Sequence, residues 1–405
     1  MSETKLYLFD DSRARRWAPF SLTRPVGELL FGCSTLKARA EHVFGVECRG
    51  HVSRRALVGF DEAGAAPCVS LSEVARDQVV VLLSSRAIPD FQEVEVPSDR
   101  ARITVGGVPA GWVVPPGSEL PSELWIRNPG HDPGDAPELK LDGIILDRPW
   151  DLVAQNAARV YADASMMKVE GTVPSNVVVI GDGPVSIGEG GEIESGVTLD
   201  TRLGPIRLDR GVRVEGPARL SGPLYVGPDT TLVGGSISAS SIGRNCRVRG
   251  EVSDSVLLGY VNKAHDGYLG HALVGRWVNL GALTTNSDLK NNYGTVTVWT
   301  PDGDVDTGQI KIGCFLGDHV KTGIGTLLNT GTVVGAGSNI FGGAMPPVAV
   351  PPFSWGSGSN LTEYRLDKFL ETAERMMARR DVALTPGVRS VLEAAWVATE
   401  DRRSE

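Results

Sequence analysis

The residues best suited to chemistry sit in one stretch, 263–293, which reads KAHDGYLGHALVGRWVNLGALTTNSDLKNNY. It holds His265 and Tyr268, followed by Asn279, Asn286 and Lys290. An imidazole titrates near neutral pH and can take a proton from an amine nucleophile, and a lysine can meet a phosphate. Around these residues run the aliphatic-Gly pairs Leu269-Gly270, Val274-Gly275 and Leu280-Gly281, spaced five and six apart. Such pairs mark the turns of a parallel β-helix, where an aliphatic side chain points into the coil and a small residue rounds the corner. A regular corner has no need of His-Asp-Gly-Tyr, so the excess polarity points to function. The alternative is that His265 caps the turn by bonding to backbone.

The elements that must position this stretch fall into three regions. From about 173 to 343 the hexapeptide rhythm continues through Ile180-Gly181, Ile187-Gly188, Val226-Gly227, Ile242-Gly243, Ile312-Gly313, Leu316-Gly317 and Val334-Gly335. That run is long enough for a stable solenoid. Inserts near 286–293 and 299–308 break the rhythm, and inserts become loops on one face, usually the binding face. Residues 1–160 read as a small α/β domain. Strands are expected at 5–9, 56–60 and 78–83, a helix through Leu36, Ala40 and Val43, a linker at 127–143 and a bridging helix at 147–161. Residues 344–405 read as a proline-rich extended exit followed by amphipathic helices at 361–379 and 388–398. The expectation is that these cap the open end of the solenoid.

The totals exclude several classes. The 405 residues carry a net charge of −9, which argues against nucleic acid as a partner but leaves room for a local phosphate pocket. Five cysteines, odd in number and without a Cys-x-x-Cys pair, imply neither a disulfide frame nor a zinc knuckle. The start, MSETKLYLFDD, lacks a signal-peptide pattern, and no apolar run is long enough to span a bilayer. The expected compartment is the cytoplasm, with no membrane partner.

The segment His265-Asp-Gly-Tyr268-Leu-Gly270, followed by Asn279-Leu-Gly-Ala-Leu-Thr-Thr-Asn286, resembles the acyltransferase half of the GlmU-like family. These are bifunctional N-acetylglucosamine-1-phosphate uridyltransferases/glucosamine-1-phosphate acetyltransferases. Similarity continues through Gly317-Asp-His-Val-Lys-Thr-Gly323, and the chain is most similar to a divergent, sugar-nucleotidyltransferase-like branch. The resemblance implies a left-handed parallel β-helix that forms a homotrimer, with active sites in the grooves between subunits. It makes His265 the general base that deprotonates a sugar amine attacking acetyl-CoA. Tyr268, Asn279 and Asn286 then bind or orient the sugar phosphate, with Lys290 a phosphate contact on chemical grounds. Ser253 and Asp254 stand where the family carries a Lys-Lys pair, and SDLKNNYG replaces its Tyr-Asp-Gly, so the acceptor must be met differently.

The N-terminal loop resembles the family's nucleotidyltransferase signature. Arg16, Pro19, Ser21 and Pro25 fall at matching steps, Val26 replaces the lysine, and DDSRARR replaces the phosphate-cradling glycines. Nucleotide phosphates would be held by side chains instead: Arg13, Arg15, Arg16, Thr23 and Arg24, since a guanidinium forks onto phosphate oxygens. The competing reading is a solvated basic turn paired with Asp10 and Asp11. Ser84-Ser85-Arg86 stands where the family strand ends in a metal-binding Asp, which leaves Asp10 and Asp11 as the nearby candidates for magnesium. The function implied is sugar-nucleotide biosynthesis, with acyl transfer from CoA in the solenoid and a sugar-1-phosphate nucleotidyltransferase domain before it. Two alternatives stand beside it: a non-catalytic nucleotide-sugar-binding regulatory trimer, and a nucleotidyltransferase whose solenoid serves only assembly.

Overall fold

The computed structural model describes residues 4–403. Strand Lys5–Phe9 sends Leu6 and Leu8 to one face and Tyr7 and Phe9 to the other, each set joining a separate core. It lies inside a seven-stranded mixed sheet, in parallel register with Val80–Ser84 on one side and Cys48–Val52 on the other. Helix Leu36–Phe44 covers the Leu6/Leu8 face with Ala40, Val43 and Phe44. Thr35 accepts a hydrogen bond from the Ala38 N–H at its start, and Gly45, at φ 65°, ends it in the left-handed conformation that a side chain resists.

Three expectations for this region change. The apolar run at 56–60 forms no strand: Arg55–Leu57 is a 3₁₀ turn, and Leu57 and Phe60 bury against Val391 near the C terminus. Inside the Pro/Gly-rich stretch, Glu138–Leu141 pairs with Ala101–Val105 as an edge strand. The bridging helix is divided into Asp151–Ala154 and Asn156–Met166.

From Val178 the chain winds into a parallel β-helix of three ladders, with six, nine and ten strands. Along the nine-stranded ladder Leu208, Val226, Ile242, Leu257, Val274, Leu316 and Val334 stack inward, all buried. Each such side chain contributes about 1.5–3 kcal/mol relative to exposure. The proline-rich exit also differs from expectation. Ala349–Val350 pairs with Val333–Val334 and Ser354–Ser357 with Asn339–Ile340, so this segment adds a further coil.

On a solvated sheet the outward residues would be polar. Here the outward column of the nine-stranded ladder includes Tyr225, Val256, Leu273, Phe315 and Val333, all buried with Trp17, Phe20, Phe31 and Trp150. The N-terminal domain is therefore seated on this ladder through an apolar interface.

The C-terminal helices do not cap the open end. Tyr260, Trp277, His319 and Phe353 occupy one corner of the coils at φ 53°, 63°, 62° and 57°, with Gly337 at that corner between His319 and Phe353. Helix Leu366–Ala378 lies along this corner, its Phe369 edge-on to His319 and Phe353 at 5.8 and 5.0 Å. Helix Pro386–Val397 meets the N-terminal domain, where the Val388 N–H donates to Asp61 at 2.9 Å. The tail thus ties the two domains together along the solenoid's flank. No described helix is long and apolar enough to cross a membrane.

Candidate functional site

His265 stands exposed on the corner between strands Asn262–Lys263 and Tyr268–Gly270. The turn is capped by a neighbour. Lys263 pairs with Val248 in the ladder and is 2% exposed. Its Nζ donates to the carbonyls of Arg249 and His265 at 2.7 and 2.9 Å. Burial lowers its pKa to about 8, against the opposing pull of Asp266. Because Lys263 satisfies the corner carbonyls, the imidazole of His265 makes no hydrogen bond among the described residues. It is open to a ligand.

Tyr268 serves a cluster at the other end of its strand. Its Oη donates to Asp288 Oδ2 at 2.7 Å and lies 3.2 Å from Ser253 Oγ, and burial raises its pKa to about 12. A Cβ at position 270 would come within 2.1 Å of that Oη, so Gly270 makes room for the phenol to lie along the strand. His271 Nδ1 reaches the same Asp288 oxygen at 2.7 Å, and this bond holds the Asp288 carboxyl below its usual range despite burial. His271 and Asp288 were not singled out from the sequence. The available signal was a second histidine directly after the glycine of the His-x-x-Tyr-x-Gly motif.

The other expected residues separate. Asn279 lies on the outside of the ten-stranded ladder, level with Asn262 and Lys321, and accepts from Asn262 Nδ2 at 2.8 Å. Asn286 is 2% exposed and clamps Gly270 in both directions, its Oδ1 accepting from the N–H and its Nδ2 donating to the carbonyl, each at 2.9 Å. Its carboxamide replaces a backbone rung and is not free for substrate. Lys290 lies in the insert, its Nζ bonded to the Thr295 carbonyl at 2.6 Å.

In the N-terminal loop the expected nucleotide residues also divide. Arg24 is buried, its Nε donating to Asp318 Oδ2 and its Nη1 to Glu62 Oε2, both at 2.8 Å. Burial alone would lower its pKa, but Asp318 and Glu62 outweigh that and raise it. Thr23 Oγ1 donates to the same Asp318 oxygen at 2.7 Å. Both side chains hold the domain on the solenoid, which takes them out of the nucleotide set. Arg15 is partly buried, its Nε donating to the Asp10 carbonyl at 2.8 Å.

Arg13 and Arg16 remain exposed and pair with Asp147 and Asp302. They line a cleft of about 230 Å³ with Arg148, Trp150 and Trp299. Trp299 and Asp302 come from the antiparallel hairpin Thr297–Thr300/Gly303–Asp306, inserted from the solenoid. The basic turn therefore pairs with these two distant aspartates, while Asp10 and Asp11 do other work. Asp10 is 1% exposed and accepts from the Val26 N–H and Ser53 Oγ. Asp11 accepts from the Arg13 and Ala14 N–H groups at 3.0 and 2.8 Å, and Arg86 forks onto both its oxygens at 2.6–3.0 Å. Magnesium requires open carboxylate oxygens. With a guanidinium already on Asp11, this pair does not fit the ion.

Residues 6–170 match the family model described as sugar nucleotidyl transferase. The chain is 28% identical over 209 residues to a "bifunctional sugar-1-phosphate nucleotidylyltransferase/acetyltransferase" of Sulfurisphaera tokodaii, covering 51% of this chain and 47% of that protein. It is also 28% identical over 205 residues to a "bifunctional protein GlmU" of Methanococcus vannielii, covering 50% and 44%. The chain resembles GlmU-like proteins. The GlmU-like resemblance stands at low identity, and the chain spans about half the length of the curated relatives it matches. Among solved structures, an Arabidopsis UDP-N-acetylglucosamine acyltransferase is 13% identical, covers 55% of this chain and 95% of its own, and gives a TM-score of 0.20. The β-helix here is read from its own ladders.

Proposed function

We propose that this GlmU-like chain is a transferase of sugar-nucleotide biosynthesis, working in the cytoplasm, whose solenoid moves an acetyl group from acetyl-CoA to an amino-sugar phosphate. The observation that supports it is His265, exposed at a corner whose carbonyls Lys263 already satisfies. His265 accepts the proton of the sugar amine as the amine nitrogen attacks the thioester carbonyl. The tetrahedral adduct then collapses, the C–S bond breaks, and the proton passes to the departing CoA thiolate. Asn279, on the ten-stranded ladder that leads into this corner, is the orienting carboxamide in this reading. The groove is completed by two further copies in a trimer. Leu283 and Ile324, 59% and 76% exposed, occupy the same corner in the following coils, an apolar edge that a copy would cover.

For the N-terminal domain the reading is nucleotide or nucleotide-sugar binding through Arg13 and Arg16, with Trp299 beside them. The seat of Arg86 on Asp11 favours binding without magnesium-dependent turnover there. Incubation with acetyl-CoA and a panel of amino-sugar phosphates, following thiol release, tests the transfer. No thiol release above the hydrolysis blank with any acceptor would overturn it. Light scattering at micromolar concentration tests the trimer, and a monomer would contradict it.

A further inference from the structure

A groove of about 360 Å³ lies between the outer side of the ten-stranded ladder and helix Leu366–Ala378. The helix buries Phe369, Leu370 and Ala373 in one cluster with Phe353 of the aromatic corner, and Met377 is buried as well. An adjacent stripe at helical spacing, Thr372, Arg375, Met376 and Arg379, overlooks the ladder instead, joined by Arg380. Across from them Asn262, Asn279 and Lys321 stand level on neighbouring strands.

The charge balance of this groove is one-sided. Among the described residues no carboxylate lines it. Arg379 makes no ion pair among the described residues, and Arg380 reaches only the Asn245 carbonyl at 3.5 Å. Lys321 Nζ reaches the His319 carbonyl at 3.3 Å, while Arg375 pairs with Glu371 on its own helix. Burial, with Arg247 and Arg379 nearby, lowers the pKa of Arg380, and burial lowers that of Lys321 to about 8. In a chain of net charge −9, cations gathered with Glu371 as their one paired carboxylate among the described residues repel one another unless an anion fills the space between them.

We propose that this groove is a binding site for the phosphate groups of a nucleotide-type ligand. Guanidinium forks from one wall and an ammonium from the other suit more than one phosphate. The Asn262–Asn279 carboxamides supply the mixed donors and acceptors that a sugar or base requires. Tyr260, stacked on Trp277 at 4.0 Å, closes one end with an aromatic ring. The same chemistry is presented by a free nucleoside diphosphate and by the nucleotide end of CoA. Binding here does not require His265 to act as a base, so the two readings fail separately.

The test is calorimetry on the full chain with CoA, ADP and inorganic phosphate as probes. The Arg379→Ala/Arg380→Ala double change and Asn262→Leu are each compared in the wild-type chain and in an Arg16→Ala background, which removes a residue of the separate N-terminal cleft. CoA or ADP should bind with Arg16 present or replaced, and the double change should weaken that binding by about 10–100-fold in either background. Binding of CoA alone assigns the site to the carrier, and equal binding of ADP assigns it to nucleotides in general. No binding of either probe overturns the proposal, as does unchanged affinity in a folded double variant. Inorganic phosphate binding as tightly as ADP would overturn the nucleotide class. Should the double variant unfold, Asn262→Leu decides, with unchanged affinity counting against the site.

Discussion

Arg24 Nε donates to Asp318 Oδ2 at 2.8 Å, across 294 positions of sequence. The same guanidinium bonds Glu62, to which Arg276 also pairs at 2.9 Å, so two domains share one buried ionic knot. Burial alone would raise Glu62, yet Arg24 and Arg276 hold its carboxyl at about 2.

Removing one member of that knot strands the others. Arg24→Ala should destabilise the protein by about 3–5 kcal/mol, because two buried carboxylates lose their shared cation. Denaturant unfolding measures it. A nucleotide-binding role for Arg24 predicts instead unchanged stability with lost affinity.

His319 supplies a pH dependence. Buried, and repelled by Lys321, it has its pKa lowered from 6.5 to about 3, although Asp318 and Glu62 pull the other way. The unfolded chain takes up this proton below about 6.5 and the folded chain does not until about 3. Stability should therefore fall as pH drops through that window. His319→Phe should flatten this part of the melting-temperature profile; an unchanged slope would assign the loss to other groups.

Asn286→Ala should act on stability. It leaves the N–H and carbonyl of buried Gly270 without their partners, at a cost of about 1–3 kcal/mol. Thermal unfolding and turnover measured on one preparation separate this from a substrate role. A wild-type melting temperature with reduced turnover would restore the original expectation.

His265→Ala should behave in the opposite way. Turnover in acetyl transfer should drop by roughly 10²–10⁴-fold with folding intact, since Lys263 already caps the turn. Full activity in the folded variant would remove His265 from the mechanism.

Disturbing the cluster around Asp288 separates positioning from packing. Asp288→Asn should loosen Tyr268 and His271 together, since both bond the same oxygen. If the cluster orients the His265 corner through strand Tyr268–Gly270, kcat should fall with little change in KM. A fall in melting temperature alone would mark it as structural.

What the sequence determined by itself was the repeating part. Aliphatic-Gly pairs report a local rule that each coil obeys, so the solenoid, its inserts and the exposed His265 corner follow from spacing. Continuous apolar runs likewise revealed Lys5–Phe9 and the strand at Val80–Ser84, because burial on both faces is written in neighbouring residues. What only the tertiary structure decided were the partners of polar groups. Arg24 and Arg16 look alike in the loop, yet one meets Asp318 in a buried interface and the other remains at an open cleft. Asn286 and Asn279 look alike in the motif, yet one completes a rung inside the coil and the other faces out. The apolar run at 56–60 forms a 3₁₀ turn, and part of what covers it, Val391, lies at the far end of the chain. Contacts between residues hundreds of positions apart leave no period to read, so the fold was legible and the roles of its charged side chains were not.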